Sequence, residues 1–196
     1  MNIHASTRRL VLLSVFAAII LALGLPGSPL RIIGFPTIGP INATTLHIPV
    51  ILGAVLEGPL FGGILGLIMG VTSLLSALLA PNLSSPFFLR PEISILPRIL
   101  IGLVAAGVFR GLSKKINRSW AAGIAAACGT LTNTILVVSL MTWRGAIGSV
   151  DGQVWEAIKT AMGVVVSVNG ICELILAIVI TVALERALRP LMNRRK

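Results

Sequence analysis

The sequence predicts an all-α membrane protein: one domain, folded as a bundle of six transmembrane helices with both termini in the cytoplasm. Of the 196 residues, 56% are hydrophobic and only 11% are charged, whereas soluble domains have about 25% charged residues. The apolar residues occur in runs close to the roughly 20 residues that a helix needs to cross a bilayer. This composition excludes an ordinary cytosolic enzyme and a disordered chain.

Five apolar runs are long enough to be spans, and a sixth is short. The runs are 10–25, 43–56, 60–80, 93–109, 120–141 and 161–188. Run 43–56 ends at the turn 57–59 and is too short for a straight crossing, so its length alone favours a re-entrant segment. With six spans, however, most of the 16 Lys and Arg residues fall on the cytoplasmic side, as the positive-inside rule requires. Five spans would leave Arg8 and Arg9 outside.

Two other interpretations of the basic and apolar residues are weaker. The net charge of +10 does not indicate nucleic-acid binding, because the basic residues cluster between apolar runs and form no basic face with interleaved aromatic residues. The first run could be a cleaved secretory signal, but it is longer than the typical apolar core of about 7–15 residues.

The predicted external loops are long and stiff, whereas the internal ones are short and basic. The loops at 26–40 and 81–97 each hold four prolines together with several apolar residues, and the loop at 143–159 is of similar length. Long connections of this kind are usually functional. We therefore expect them to cover an outward-facing cavity.

Polar residues inside the spans are the candidates for a binding site, because a charge at mid-membrane costs about 2.5–3.5 kcal/mol. At helical spacing they share one face on each of two spans: Thr130, Asn133 and Thr134 on the fifth, and Asn169, Cys172 and Glu173 on the sixth. Glu173 could be protonated, or satisfied by Asn133 or Asn169, and only fix the helix register. Alternatively, the amides and the acid bind a small polar ligand.

Two further polar residues stand near the predicted outer ends of spans. Arg98 follows Pro97 early in the fourth span, close to Phe88 in the preceding loop. It either extends to the membrane surface or binds a ligand carboxylate or phosphate through its planar fork. His47 begins the second span, and an interfacial position suits it better than metal binding because no H-x-x-x-H spacing accompanies it.

The sequence contains no recognisable catalytic motif. G-x-S-x-G, H-E-x-x-H, paired aspartates and the Walker A loop are all missing, and Cys128 and Cys172 lie far apart in apolar runs. We therefore predict no enzyme activity, no metal or disulfide site, and no ATP hydrolysis by this chain alone. A membrane-embedded enzyme using Glu173 or His47 as acid or base remains an alternative, as does a stand-alone carrier or channel, although no inverted repeat is visible.

Small residues recur every four positions on the first span, at Ser14, Ala18 and Ala22, and on the third, at Gly62, Gly66 and Gly70. In lipid such residues let helix backbones approach closely. Each stripe therefore serves either packing within the bundle or docking of another membrane protein.

Taken in order along the chain, several short motifs resemble the substrate-binding (S) components of energy-coupling-factor (ECF) vitamin transporters, most closely the branch of pantothenate-type carriers. The motifs are Arg9-Leu10, Thr45-Leu46-His47-Ile48-Pro49-Val50, Glu57-Gly58-Pro59, Ser85-Pro86-Phe87-Phe88, Ile95-Leu96-Pro97-Arg98, Gly129-Thr130-Leu131-Thr132-Asn133-Thr134 and Asn169-x-x-x-Glu173. The resemblance covers nearly the whole chain.

The resemblance implies a six-helix binding subunit in the plasma membrane of a prokaryote. Such a subunit captures a small water-soluble vitamin from outside and has no cofactor of its own. Its partners would be a transmembrane coupling subunit and two cytoplasmic ATPases, which use ATP to drive uptake. The stripe of Ser14, Ala18 and Ala22 matches the small-residue docking motif of the family, although a serine replaces alanine at the first position.

The resemblance also implies a set of substrate-binding residues: Asn133, Asn169, Glu173, Arg98, Thr130, His47 and Phe88. Pantothenate is the best candidate ligand. Arg98, with Arg90 as a second candidate, would bind its carboxylate, and Asn133, Asn169 and Glu173 its hydroxyls and amide. Pyridoxine, riboflavin, niacin and folate are the alternatives, because carriers for them share the scaffold.

Overall fold

The computed structural model describes residues 3–35, 44–82, 84–148, 151–164 and 169–193, and these residues form helices and connecting turns. The helices are α1 (Ile3–Gly24), α2 (Arg31–Gly34), α3 (His47–Glu57), α4 (Pro59–Leu79), α5 (Ser85–Phe88), α6 (Pro91–Ser94), α7 (Leu96–Leu112), α8 (Arg118–Ala146), α9 (Gly152–Val164) and α10 (Gly170–Asn193).

Four of these segments are long and apolar enough to cross a membrane. They are Thr7–Gly24, Pro59–Leu79, Pro91–Leu112 and Arg118–Ala146. The prediction of an all-α membrane protein is therefore confirmed. The predicted sixth span, 161–188, corresponds to the end of α9 and most of α10, with residues 165–168 outside the described part.

α3 is short and occupies the centre of the bundle. Its 11 residues extend about 16 Å at 1.5 Å per residue, roughly half of the 30 Å hydrocarbon core. Residues from His47 to Leu56 are all buried, and α1, α4, α7, α8 and α10 all contact the helix. A helix that is apolar all round packs in this way. Because α3 is so short, it fills the bundle core at one end only.

The turn from α3 to α4 depends on Gly58. Its φ of 105° lies in the region that glycine adopts without steric cost. Pro59 then begins α4, where its fixed φ and missing N–H suit the first helical position. The Glu57-Gly58-Pro59 motif therefore reverses the chain between two antiparallel helices.

Glycines bring α4 and α7 into close contact. A Cβ atom on Gly102 would lie 2.2 Å from the carbonyl oxygen of Gly62, and one on Gly66 would lie 2.1 Å from the carbonyl oxygen of Arg98. Backbone atoms cannot yield as a flexible side chain can. The stripe at Gly62, Gly66 and Gly70 thus packs inside the bundle.

Short helices cover one end of the bundle, where the sequence predicted long external loops. α5, α6 and α9 share a small hydrophobic cluster with α8, centred on Phe87, Ile93, Met141 and Ile158. An ion pair between Arg144 and Glu92 connects α8 to α6. The predicted loop at 143–159 is therefore mostly helical. Residues 36–40 of the predicted loop at 26–40 lie outside the described residues, but α2 packs against the end of α1, where Gly34 adjoins Leu23.

Candidate functional site: a cavity beside the central helix

A cavity of about 120 Å³, which opens to solvent, lies at the N-terminal end of α3. It occupies the part of the bundle that this short helix does not fill. The described residues that line it are Phe35, Thr44, Ser73, Ser76, Ala77, Asn82, Ser84, Ser85, Phe88, Arg98, Asn133, Thr134, Val137, Val138, Met141, Met162, Gly170 and Glu173. Small-molecule sites typically combine such apolar walls with a few polar groups.

Arg98 supplies a buried positive charge to this cavity. It is the third residue of α7 and is only 3% exposed. Its Nη1 donates a hydrogen bond of 3.0 Å to the carbonyl oxygen of Ile93, and its guanidinium lies 5.1 Å from the centre of the Phe88 ring. Within the described residues, its Nε has no hydrogen-bond partner and no carboxylate lies within 4 Å. A buried positive charge that forms no close ion pair favours the binding of an anionic ligand.

Glu173 brings a carboxyl group to the same cavity from α10. It is 8% exposed, and its Oε1 accepts a hydrogen bond of 2.5 Å from the backbone N–H of Thr44, just before α3. The sequence suggested Asn133 or Asn169 as partners for this acid, but the hydrogen bond that the structure gives it comes from the backbone. Glu173 therefore ties α10 to the entry of α3 and keeps a second oxygen for other contacts.

Asn133 adds an amide from α8. Its side chain is 5% exposed, and its Oδ1 has no hydrogen-bond partner among the described residues. Thr134 lines the cavity beside it, with its hydroxyl donating to the carbonyl oxygen of Thr130 at 3.3 Å. A buried amide oxygen without a donor costs free energy unless a ligand or water provides one. The wall thus combines a cation, an acid and a free acceptor.

The structure brings four of the predicted site residues together on the cavity wall, namely Arg98, Phe88, Asn133 and Glu173. The other three, Thr130, His47 and Asn169, are almost completely buried and are not among the described residues that line it. Their roles in binding stay predictions.

Sequence analysis missed the serines of α4. Ser73 and Ser76 line the cavity one turn apart. The hydroxyl of Ser73 donates to its own helix at Met69, and Ser76 accepts a hydrogen bond of 3.2 Å from Arg31 of α2. Two serines at i and i+3 inside an apolar run were the available signal. No such signal marked three other lining residues, which lie between helices: Asn82, Ser84 and Thr44.

Among the described residues, most of the small-residue stripe of α1 lies outside the bundle core. The side chains of Ser14 and Ala18 are exposed and that of Ala22 is half-buried. Val15 and Ile19 beside them are also exposed, at 49% and 39%. Close approach through small residues therefore remains available to a second protein on this face.

A membrane bundle around a cavity with mostly apolar walls and a few buried polar groups defines a small-molecule-binding protein of the membrane. Comparison with known proteins makes the class specific: the family model described as "ECF transporter, substrate-specific component" matches residues 8–185. The chain belongs to this family.

One curated relative is the pantothenic acid transporter PanT of Lactococcus lactis subsp. cremoris. It is 32% identical over 171 residues, which are 79% of this chain and 81% of the relative. The chain is thus a substrate-binding subunit of a transporter and a multi-pass protein of the prokaryotic cell membrane, not an enzyme. The resemblance noted in the sequence is confirmed.

Proposed function

We propose that this chain binds pantothenate in the cavity and delivers it for uptake by an ECF transporter. The observation that carries the proposal is the buried guanidinium of Arg98, which has no carboxylate within 4 Å among the described residues, on the same cavity wall as the amide oxygen of Asn133, which accepts no hydrogen bond from them. Pantothenate has a carboxylate at one end and hydroxyls and an amide along its length. The similarity to PanT supports the same ligand.

Each part of this ligand has a complementary group on the wall. Arg98 suits the carboxylate, because a guanidinium binds carboxylates through two parallel hydrogen bonds. Asn133 and Glu173 suit the hydroxyls and the amide, and Val138 and Met141 offer an apolar surface for the methyl groups. Niacin and folate also carry carboxylates, whereas pyridoxine and riboflavin do not, so the last two fit Arg98 least well.

Six spans with both termini in the cytoplasm remain our proposal for the topology, and the contacts at one end of the bundle support it. Arg9 of α1 forms an ion pair of 3.1 Å with Glu57 at the end of α3. Arg110, late in α7, approaches the turn between α3 and α4. Arg118 at the start of α8 forms an ion pair of 2.9 Å with Glu185 of α10. The helices thus alternate in direction, and the positive-inside rule favours the cytoplasm for this basic end.

The partners follow from the family. We propose that a transmembrane coupling subunit docks on the exposed face of α1 formed by Ser14, Ala18 and Ala22, and that two cytoplasmic ATPases drive transport through it. A stripe of small residues that its own bundle leaves exposed supports this assignment. Residues 43–56 remain our proposal for the second span, and the structure describes 44–56 of them.

Uptake into proteoliposomes tests the proposed function. Vesicles holding this chain with its coupling subunit and ATPases should accumulate labelled pantothenate when ATP is enclosed on the ATPase side, and ADP should not replace it. Vesicles with this chain alone should bind the vitamin without accumulating it. Accumulation by the chain alone would instead establish a stand-alone carrier and contradict the proposal.

A further inference from the structure

A second groove runs along the outside of the bundle between α8 and α10. We call it the α8–α10 groove, and its described residues are Ser119, Trp120, Gly123, Ile178, Val179, Val182, Ala183 and Arg186. Its volume is about 400 Å³. From Ile178 to Arg186 it extends about 12 Å along α10 at 1.5 Å per residue, and its walls are apolar except at one end.

The polar end of the groove carries uncompensated positive charge. Glu185 is buried and pairs with both Arg118 and Arg189, at 2.9 Å each. Arg186 pairs with no carboxylate in the described part of the chain, and its Nε donates a hydrogen bond of 3.0 Å to the Ser119 hydroxyl. Three arginines thus face one acid, and Arg186 keeps its outer nitrogens for another anion.

The position of the groove indicates where that anion comes from. Trp120 is 73% exposed beside the polar end, and tryptophans of this kind favour the membrane–water interface. The apolar walls lie further along α8 and α10, toward the hydrocarbon. The groove is also distinct from the exposed face of α1, because α1 packs on α2, α3 and α4. A ligand here meets an interfacial cation and a membrane-facing apolar channel together.

We propose that the α8–α10 groove binds one anionic phospholipid. Its phosphate contacts the guanidinium of Arg186, and one acyl chain lies along Ile178, Val182 and Ala183. Basic pockets between spans bind acidic headgroups by this combination of charge and packing. A zwitterionic lipid would fill the same channel but gain less at the arginine, since its own positive group offsets the phosphate.

Native mass spectrometry of the purified chain tests this proposal. After equilibration with equal amounts of phosphatidylglycerol and phosphatidylcholine, the wild type should retain one phosphatidylglycerol in preference. Arg186→Gln should reduce that retention about tenfold, the effect of one lost charge-assisted contact. Lys115→Gln, which removes an exposed charge elsewhere at the same end, should leave it unchanged. Helix content and elution volume check the fold of each variant.

A second variant separates the acyl chain from the headgroup. Ala183→Phe should fill the channel and lower lipid retention while every arginine stays in place. Equal retention of the two lipids by the wild type, or equal losses in Arg186→Gln and Lys115→Gln, would overturn the proposal. So would competition by deacylated glycerophosphoglycerol as strong as by the intact lipid, or a photo-crosslinker at position 183 that labels the coupling subunit instead of lipid. None of these outcomes depends on the vitamin.

Discussion

Replacing Arg98 by glutamine should weaken pantothenate binding strongly while the bundle stays folded. Arg98 is 3% exposed, so a carboxylate that reaches its guanidinium leaves bulk water and forms charge-assisted hydrogen bonds there. Arg98→Lys should give a smaller loss, because it keeps the charge but not the planar fork. Arg90→Gln is the matched control, since Arg90 is a half-buried arginine of the same region that is not among the residues lining the cavity.

The size of the effect follows from the contact that is lost. Hydrogen bonds to charged groups contribute about 1.5–3 kcal/mol, which corresponds to a loss of about 10–150-fold in affinity. The existing contacts of Arg98 with Ile93 and Phe88 are retained only in part by glutamine, so a modest fall in thermal stability should accompany the loss. The control variant should bind within about twofold of the wild type.

Isothermal titration calorimetry with two ligands isolates the charge. Pantothenol replaces the carboxylate of pantothenate by an alcohol, so it should bind the wild type weakly and be almost insensitive to Arg98→Gln. Arg98→Gln lowers the binding free energy of each ligand. The difference between these two losses is the coupling free energy between the Arg98 side chain and the ligand carboxylate. Equal losses for both ligands, or unchanged pantothenate affinity in Arg98→Gln, would refute the assignment of Arg98 as the carboxylate anchor.

Three further predictions concern other parts of the molecule. Asn133→Ala should weaken binding by about 2–10-fold in calorimetry, because one neutral hydrogen bond is worth about 0.5–1.5 kcal/mol. Ala18→Trp should leave binding intact but abolish co-purification with the coupling subunit, whereas Leu131→Trp, on the exposed side of α8, should not. Gly66→Ala should lower the free energy of unfolding by about 1–3 kcal/mol in denaturant titrations, because its Cβ would meet the α7 backbone, whereas Gly63→Ala has room for its Cβ.

Each of these has its own contradicting result. Full affinity in Asn133→Ala would move the polar site elsewhere. Normal assembly of Ala18→Trp would place the docking face on another helix. Equal stability of the Gly66 and Gly63 variants would mean that α4 and α7 are not as closely packed as the structure has them.

The class of fold was predictable because the bilayer imposes strong rules on composition. Low charge and long apolar runs identified a helical membrane protein, whereas the topology inferred from the positions of arginine and lysine stays a prediction. The role of α3 was not predictable. The run 43–56 is too short for a helix that crosses the bilayer without help, and this could be seen from its length. Only the packing shows that α3 lies at the centre of the bundle and leaves a cavity beyond its N-terminal end.

Part of the cavity lining was predictable, where a polar side chain is costly in lipid. Arg98, Asn133 and Glu173 stood out for this reason, and all three line the cavity. The hydrogen-bond donor to Glu173 could not be predicted, because Thr44 lies 129 residues away in sequence and any backbone N–H can donate to a carboxylate. Ser73 was missed for a different reason: serine is common in membrane helices, where its hydroxyl can bond to its own backbone.

Vitamin binding by the purified chain, without partners and without ATP, tests the central claim most directly. A calorimetric titration against pantothenate, niacin, folate, pyridoxine and riboflavin should give saturable binding of one molecule per chain for pantothenate and weaker or no binding for the others. The cavity-filling variant Val138→Trp should abolish that binding. Saturation by none of the five, or unchanged affinity when the cavity is filled, would contradict the claim that this cavity captures a vitamin.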